Sequence, residues 1–203
     1  SVRVGINSYL DGFVKEDNVR FRPHPIIFSR VAKSPEKTKT IADFGSFEKK
    51  FGNFSLKTEP GSLYEGEIIG ILGPNGIGKT TFVNMLAGAV KPDKGTPLGL
   101  ELSYKPQRLA VPESEKNIFV REYIGNPSSI QNAINLLKVE KLMERQMGRL
   151  SGGELQAVFI CAALAKDHDI LLLDEPSAFL DVEQRLSLAK VLDEWTKNRG
   201  VAG

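Results

Sequence analysis

The chain has 203 residues, is 41% hydrophobic and carries a formal net charge of +2. That is enough apolar material for one large domain or one domain with an appendage, and too balanced a charge for a nucleic-acid footprint over the whole chain. No apolar run reaches the length of a membrane span, and Ser1-Val2-Arg3-Val4-Gly5 lacks the apolar core of a secretory leader, so no membrane partner is expected. The single cysteine, Cys161, fits a small buried hydrophobe in a reducing cytoplasm, and the missing initiator Met points to a piece of a longer protein.

Residues 1–22 hold no sustained period and read as an ordered linker, followed by a domain over 23–203. Pro25-Ile26-Ile27-Phe28 starts an edge strand, where proline is tolerated. Lys33 to Thr40 is a polar loop. Residues 1–60 carry 11 Lys and Arg against 7 Asp and Glu, an excess that a solvated surface explains. Ile41 to Phe44 and then Phe47 to Thr58 read as antiparallel strands, with Phe51, Phe54 and Leu56 available for burial. Glu59-Pro60-Gly61-Ser62 has turn chemistry. Glu67 to Leu72, nearly all apolar between glycines, reads as a strand covered on both faces.

Gly73-Pro74-Asn75-Gly76-Ile77-Gly78-Lys79-Thr80 fits the G-x-x-x-x-G-K-[ST] phosphate loop, and Thr81-Phe82-Val83 continues it into a helix. Glycine lets backbone N–H groups converge on a polyanion at a helix start. Lys79 would then reach the β and γ phosphates of ATP as a mobile charge, and the Thr80 hydroxyl would take one position on Mg²⁺. The helix is expected from about Lys79 to Ala89, ended by Lys91-Pro92-Asp93-Lys94-Gly95.

Leu102 to Gln107 reads as a short buried strand, and the helical pattern of Asn117 to Leu150 as a small insertion over about 112–150. Pro127-Ser128-Ser129 interrupts it, with Ser128 or Ser129 as N-cap. Gly152 to Ala165 reads as helix and Ile170 to Leu173 as a buried strand delivering Asp174 and Glu175 at its C-terminal edge, where α/β sheets bind ligands. Asp174 would hold Mg²⁺, directly or through water, and Glu175 would orient the attacking water. Val182, Leu186, Ala189 and Leu192, with Trp195 behind them, mark an amphipathic helix, and Gly200 to Gly203 the entry to a further strand. His24 and His168 fit solvated turns.

Leu150-Ser151-Gly152-Gly153-Glu154-Leu155-Gln156 resembles the signature sequence of the ATP-binding cassette (ABC) superfamily. Gln107 and Ser177-Ala178-Phe179-Leu180-Asp181 resemble its Q-loop and D-loop. The resemblance implies an α/β phosphate-loop ATPase core with a small antiparallel β subdomain and a helical insertion. It also implies head-to-tail pairing, in which Ser151, Gly152, Gly153 and Gln156 face the ATP of an opposing cassette, with Asp181 in the D-loop and Gln107 beside the metal.

Gly5 to Phe13, Arg20-Phe21-Arg22-Pro23, Ser103-Tyr104-Lys105-Pro106-Gln107 and Asp174 to Arg185 are further similar to the second cassette of the RNase L inhibitor family, the E subfamily of twin-cassette ribosome-recycling ATPases. This implies the family's first cassette and the ribosomal small subunit as partners, and residues 1–22 as a hinge. In that family an aromatic ring stacks on adenine where this chain has Phe44, with Phe51 in reserve and core packing as the competing role. The family's iron–sulfur domain and first cassette are not in this sequence, so it carries no cluster chemistry, and without the family's switch-histidine strand and loop the stretch given is expected to bind nucleotide yet turn over slowly. Two other readings are a transporter's ATPase subunit and a nucleotide-gated binding module.

Overall fold

Alternation in Phe54-Ser55-Leu56-Lys57 turns Phe54 and Leu56 toward the interior and Ser55 and Lys57 toward water, the period-two pattern of a half-covered strand. The computed structural model describes residues 13–14, 19–20, 39–86, 88–96 and 100–199. The readings of Pro25 to Phe28, of most of the linker and the loop after Lys33, of His24 and of Gly200 to Gly203 lie outside them. The chain divides into two contact units, residues 1–37 and 38–203. In the first, β1 (Phe13–Val14) pairs antiparallel with β2 (Val19–Arg20).

In the second unit β4 (Glu48–Phe51) and β5 (Phe54–Lys57) form a hairpin with Phe51 opposite Phe54. Its two-residue loop has Gly52 at φ 54, the positive angle a tight hairpin needs at its first position. β3 (Thr40–Phe44) pairs antiparallel with β6 (Gly61–Tyr64). The turn expected at Glu59 to Ser62 is therefore half strand. Gly61 lies opposite Phe44, where a β-carbon would come within 2.6 Å of the ring, so this glycine permits close approach rather than a bend.

Glu67 to Leu72 does not form the expected strand. Ile68, Ile69 and Leu72 are 57%, 53% and 93% exposed. A strand buried on both faces needs hydrogen-bonded neighbours, and among the described residues none pairs with this segment. α1 (Lys79–Leu86) is shorter than expected, because Gly88, at φ 70, closes it by donating its N–H to the Met85 carbonyl. Its Met85 and Leu86 pack with Phe47, flanked by Phe44, Leu56, Phe82, Val90 and Leu172, which joins the helix after the phosphate loop to both the small strands and the strand that ends at Leu173.

β7 (Leu102–Lys105) and β8 (Ile170–Leu173) pair in parallel from Leu102 opposite Ile170 to Lys105 opposite Leu173. Between them lie 3₁₀ turns and two short helices, α2 (Val120–Ile124) and α3 (Gln131–Leu136). Neither Ser128 nor Ser129 caps a helix: both sit inside the 3₁₀ turn Pro127–Ile130, and the Ser129 hydroxyl donates back to the Asn126 carbonyl. α4 (Gly152–Ala165) is apolar on almost every side and correspondingly buried. Its Val158, Ile160, Cys161 and Leu164 pack with Val120, Ile134 and Met147, and with Leu188 and Val191 of α5 (Val182–Arg199). The buried face of α5 is thus only partly the expected stripe: Leu192 and Trp195 pack against the core beside Leu188 and Val191, while Val182 and Ala189 are exposed.

Candidate functional site

Gly76 and Gly78 take φ of 84 and 105, conformations a residue with a β-carbon adopts only under strain. A β-carbon on Gly78 would also lie 3.0 Å from Phe54 and 3.1 Å from Leu56, so the loop rests directly on β5. The Lys79 ammonium folds back to donate to the carbonyls of Gly73 and Pro74, at 2.8 and 2.9 Å. Gly73, Pro74, Asn75, Gly76 and Ile77 are exposed, and Gly78, Lys79, Thr80 and Thr81 half-buried, so the loop is accessible at the start of α1, where a helix N-terminus favours an anion.

Asp174 and Glu175 follow β8 directly. The Asp174 N–H donates to the Lys105 carbonyl at 3.0 Å, and the Lys105 ammonium donates to the Asp174 carbonyl at 3.0 Å. Lys105 is fully buried; burial lowers its pKa, opposed by the negative charges of Asp174 and Glu175. Gln156 of α4 is also fully buried, and its amide donates to the carbonyls of Glu175 and Pro176 at 3.1 and 2.6 Å. Gln156 therefore points inward at the acid run, which corrects its placement among residues facing an opposing nucleotide. Lys105 was missed as a site residue, although a lysine inside the apolar strand Leu102-Ser103-Tyr104-Lys105 is the kind of buried charge that needs a partner.

Ser151 caps α4 through a reciprocal box: its hydroxyl oxygen accepts from the Glu154 N–H, and the Glu154 carboxylate accepts from the Ser151 N–H at 2.9 Å. That backbone bond, with the Ser151 hydroxyl and Arg145 adding to it, holds Glu154 below the usual carboxylate range. Ser151 and Gly152 remain exposed and Gly153 half-buried, leaving the helix start open to solvent. Asp181 caps α5 the same way, accepting from the Gln184 N–H at 2.8 Å while its own N–H donates to the Gln184 side chain.

Among the described residues no hydrogen bond or ion pair joins the loop 73–81 to Asp174 or Glu175; packing of Leu172 beside α1 relates them. Gln107 is exposed beyond β7. The Phe44 ring is half-buried, stacked 6.0 Å from Phe47 and tilted against Phe82 at 6.0 Å, so much of its surface is already used in packing. Phe51 is exposed, with the Lys49 ammonium 5.4 Å from its ring centre. His168 is not in a solvated turn: it is buried, 2.6 Å from the Lys166 carbonyl, and stacks on Trp195 at 5.2 Å.

One Asp174 carboxylate oxygen, Oδ2, is buried without a hydrogen-bond partner, as suits an acid whose outer partner is a hydrated cation. Among the described residues no three His, Cys, Asp or Glu side chains cluster as a metal site of their own. Phosphate oxygens would have to complete such a coordination shell, the arrangement usual for Mg²⁺.

A family model described as ABC transporter matches residues 56–178, from β5 through the phosphate loop to the acid run. The chain belongs to this family of ABC ATPases. It is 49% identical over 202 residues to an uncharacterized ABC transporter ATP-binding protein of Methanocaldococcus jannaschii, covering 95% of this chain and 33% of that protein. It is 39% identical over 203 residues to translation initiation factor RLI1 of Saccharomyces cerevisiae, again covering 95% of this chain and 33% of the other. The chain thus spans about a third of the length of these curated relatives. Among solved structures, the complex of archaeal ribosomal stalk protein aP1 with archaeal ribosome recycling factor aABCE1 superposes with a TM-score of 0.81 at 41% identity, covering 98% of this chain and 40% of that one. Nucleotide binding comes with membership of the ABC family, and no helix among the described residues is long and apolar enough to cross a membrane.

Proposed function

We propose that this chain is the second ATP-binding and ATP-hydrolysing cassette of a cytoplasmic, twin-cassette ABC ATPase that splits ribosomes for recycling. The observation that carries the reading is the 41% identity, over 98% of the chain, to a ribosome recycling factor. In this reading the loop from Gly73 to Thr81 wraps the phosphates of ATP, and Lys79 leaves the carbonyls of Gly73 and Pro74 for the β and γ oxygens. Asp174, with the Thr80 hydroxyl and the Gln107 amide, would hold Mg²⁺, which neutralises charge on the phosphates when bound. Glu175, exposed beside Asp174, orients a water and accepts its proton as the terminal phosphoryl group is transferred. Ser151, Gly152 and Gly153 complete the pocket of an opposing first cassette, with the Asp181 turn beside them, and Phe44 or Phe51 offers the adenine a ring. Closure on two ATP molecules drives separation from the small subunit, and hydrolysis resets the pair.

The test is a pair of substitutions read by titration with Mg-ATP and by turnover. Lys79→Ala should weaken binding at least about 100-fold, since it removes a charge-assisted contact to each of two phosphates. Glu175→Gln should keep binding within about threefold while slowing hydrolysis about 10³-fold, as loss of a general base does. Equal loss of binding in both would overturn the assigned roles. Failure of the protein at its natural length to release subunits from ribosomes with ATP present would overturn the recycling reading alone.

A further inference from the structure

Glu175 stands at φ 46, a left-handed conformation disfavoured for any residue with a β-carbon. The following Pro176 has no N–H with which to stabilise such a bend. The Ala178 N–H closes the turn onto the Glu175 carbonyl at 3.1 Å, and a set of donors from two other elements adds to it. The carbonyls of Asp174, Glu175 and Pro176 accept, in order, from the Lys105 ammonium, the Gln156 amide and the same Gln156 amide. The Asp174 N–H is tied to β7 as well. Both donor side chains are fully buried, so water cannot replace them when they are removed.

We infer that Lys105 and Gln156 are positioning residues: together they clamp three successive backbone carbonyls and thereby fix the direction in which the Glu175 carboxylate leaves the chain. Among the described residues neither side chain is hydrogen-bonded to the loop 73–81. Both act on the peptide units around Glu175: Gln156, bonded to the Glu175 and Pro176 carbonyls, reaches the chemistry through Glu175, whereas Lys105, bonded to the Asp174 carbonyl, bears on Asp174 as well. Strained backbone persists at a functional residue when its surroundings over-determine it, and here the over-determination can be named bond by bond. The inference rests on the reading of Glu175 as the group that activates water.

The experiment is made in the protein at its natural length. Gln156→Met keeps the side chain's length and removes its donors; Lys105→Met removes the ammonium on the β7 side and keeps all but one atom of the chain's length. Gln156→Met should lower kcat for ATP hydrolysis about 10- to 100-fold, the scale of a reacting group displaced by about 1 Å. Affinity for Mg-ATP should change less than about threefold, because the loop from Gly73 to Thr81 is untouched. In a Glu175→Gln background the same substitution should cost less than about threefold more, since the residue it positions has already lost its function. Without nucleotide, hydrogen exchange in the peptide covering residues 170–181 should quicken.

Unchanged kcat, unchanged exchange, or an undiminished loss in the Glu175→Gln background would each overturn the clamp. If Gln156→Met does not fold, Lys105→Met is read by kcat and by hydrogen exchange in residues 170–181, because Lys105 also holds the backbone of Asp174. Loss of fold in both would also overturn it, because the bonds would then serve the core and not Glu175. The two readings fail separately: Glu175→Gln hydrolysing ATP at the unsubstituted rate removes the role of Glu175, whereas slow Glu175→Gln with normal Gln156→Met removes only the clamp.

Discussion

Gly153 is pressed against the backbone of Phe179: a β-carbon built on it would lie 3.0 Å from the Phe179 carbonyl oxygen, whereas one on Gly152 would meet the Phe179 ring at 3.6 Å. Phe179 is itself held at φ 61 and is 69% exposed, so its carbonyl cannot yield without moving the turn that leads to Asp181.

The two glycines should therefore respond differently to alanine. Gly152→Ala relieves the helix cost of glycine and meets only ordinary contact, so stability should rise by about 0.5 kcal/mol. Gly153→Ala has the same helical gain but a carbonyl in its way, and should fall about 1 kcal/mol below Gly152→Ala. Denaturant titrations of the two proteins decide it; equal stabilities would mean that the turn at Phe179 gives way freely.

The capping box of Ser151 and Glu154 sets a pH dependence. Bonding from the Ser151 N–H lowers the folded pKa of Glu154 below its ordinary 4.5, so the folded state favours the ionised carboxylate. That stabilisation is complete above the ordinary value and is lost as pH falls through the lowered one. Glu154→Gln keeps an acceptor but no charge, and should be less stable than the unsubstituted protein by about 0.5–1 kcal/mol at neutral pH, a helix-terminus charge effect. The difference should shrink as the solution is acidified below 4.5. A gap that widened there would mean that folding favours the protonated carboxyl instead.

Burial pushes the Cys161 thiol up to about 12, and the side chain is enclosed between α4 and its neighbours. With almost no thiolate at pH 8, it should react at least about 100-fold more slowly with a thiol reagent than free cysteine does. Denaturant should abolish the protection in parallel with loss of helical circular dichroism. Rapid labelling of the native protein would show that α4 opens locally.

Leu188 faces the core and Val182 is 51% exposed, although the apolar stripe of the sequence runs through Val182. Leu188→Ala should cost about 2–4 kcal/mol, the range for a leucine cavity in a packed interior. Val182→Ala should stay within about 0.5 kcal/mol. Melting of the two variants side by side would expose an error in the face assignment if their order were reversed.

What could be read along the chain is the chemistry that depends only on near neighbours. The helix start at Lys79, the strand Ile170 to Leu173 followed by Asp174 and Glu175, and the bounds of Gly152 to Ala165 all rest on spacings of a few residues, and these starts and bounds stand where those spacings put them. Antiparallel strands over Ile41 to Phe44 and Phe47 to Thr58 were legible as well, but not that Thr40–Phe44 pairs with Gly61–Tyr64 while Glu48–Phe51 pairs with Phe54–Lys57.

Partnership across long separations was decided only by the tertiary structure. Lys105 and Asp174 lie 69 residues apart, and Gln156 and Glu175 19 apart, so no local pattern announces that one donates to the other's backbone. Gly61 looked like a turn until Phe44 was laid across it, and His168 looked solvated until Trp195 covered it. Glu67 to Leu72 has the composition of a buried strand, but hydrogen-bonded neighbours make a strand, and composition cannot supply them. Short-range preferences of backbone and side chain are properties of a segment, whereas burial and pairing are properties of what folds against it.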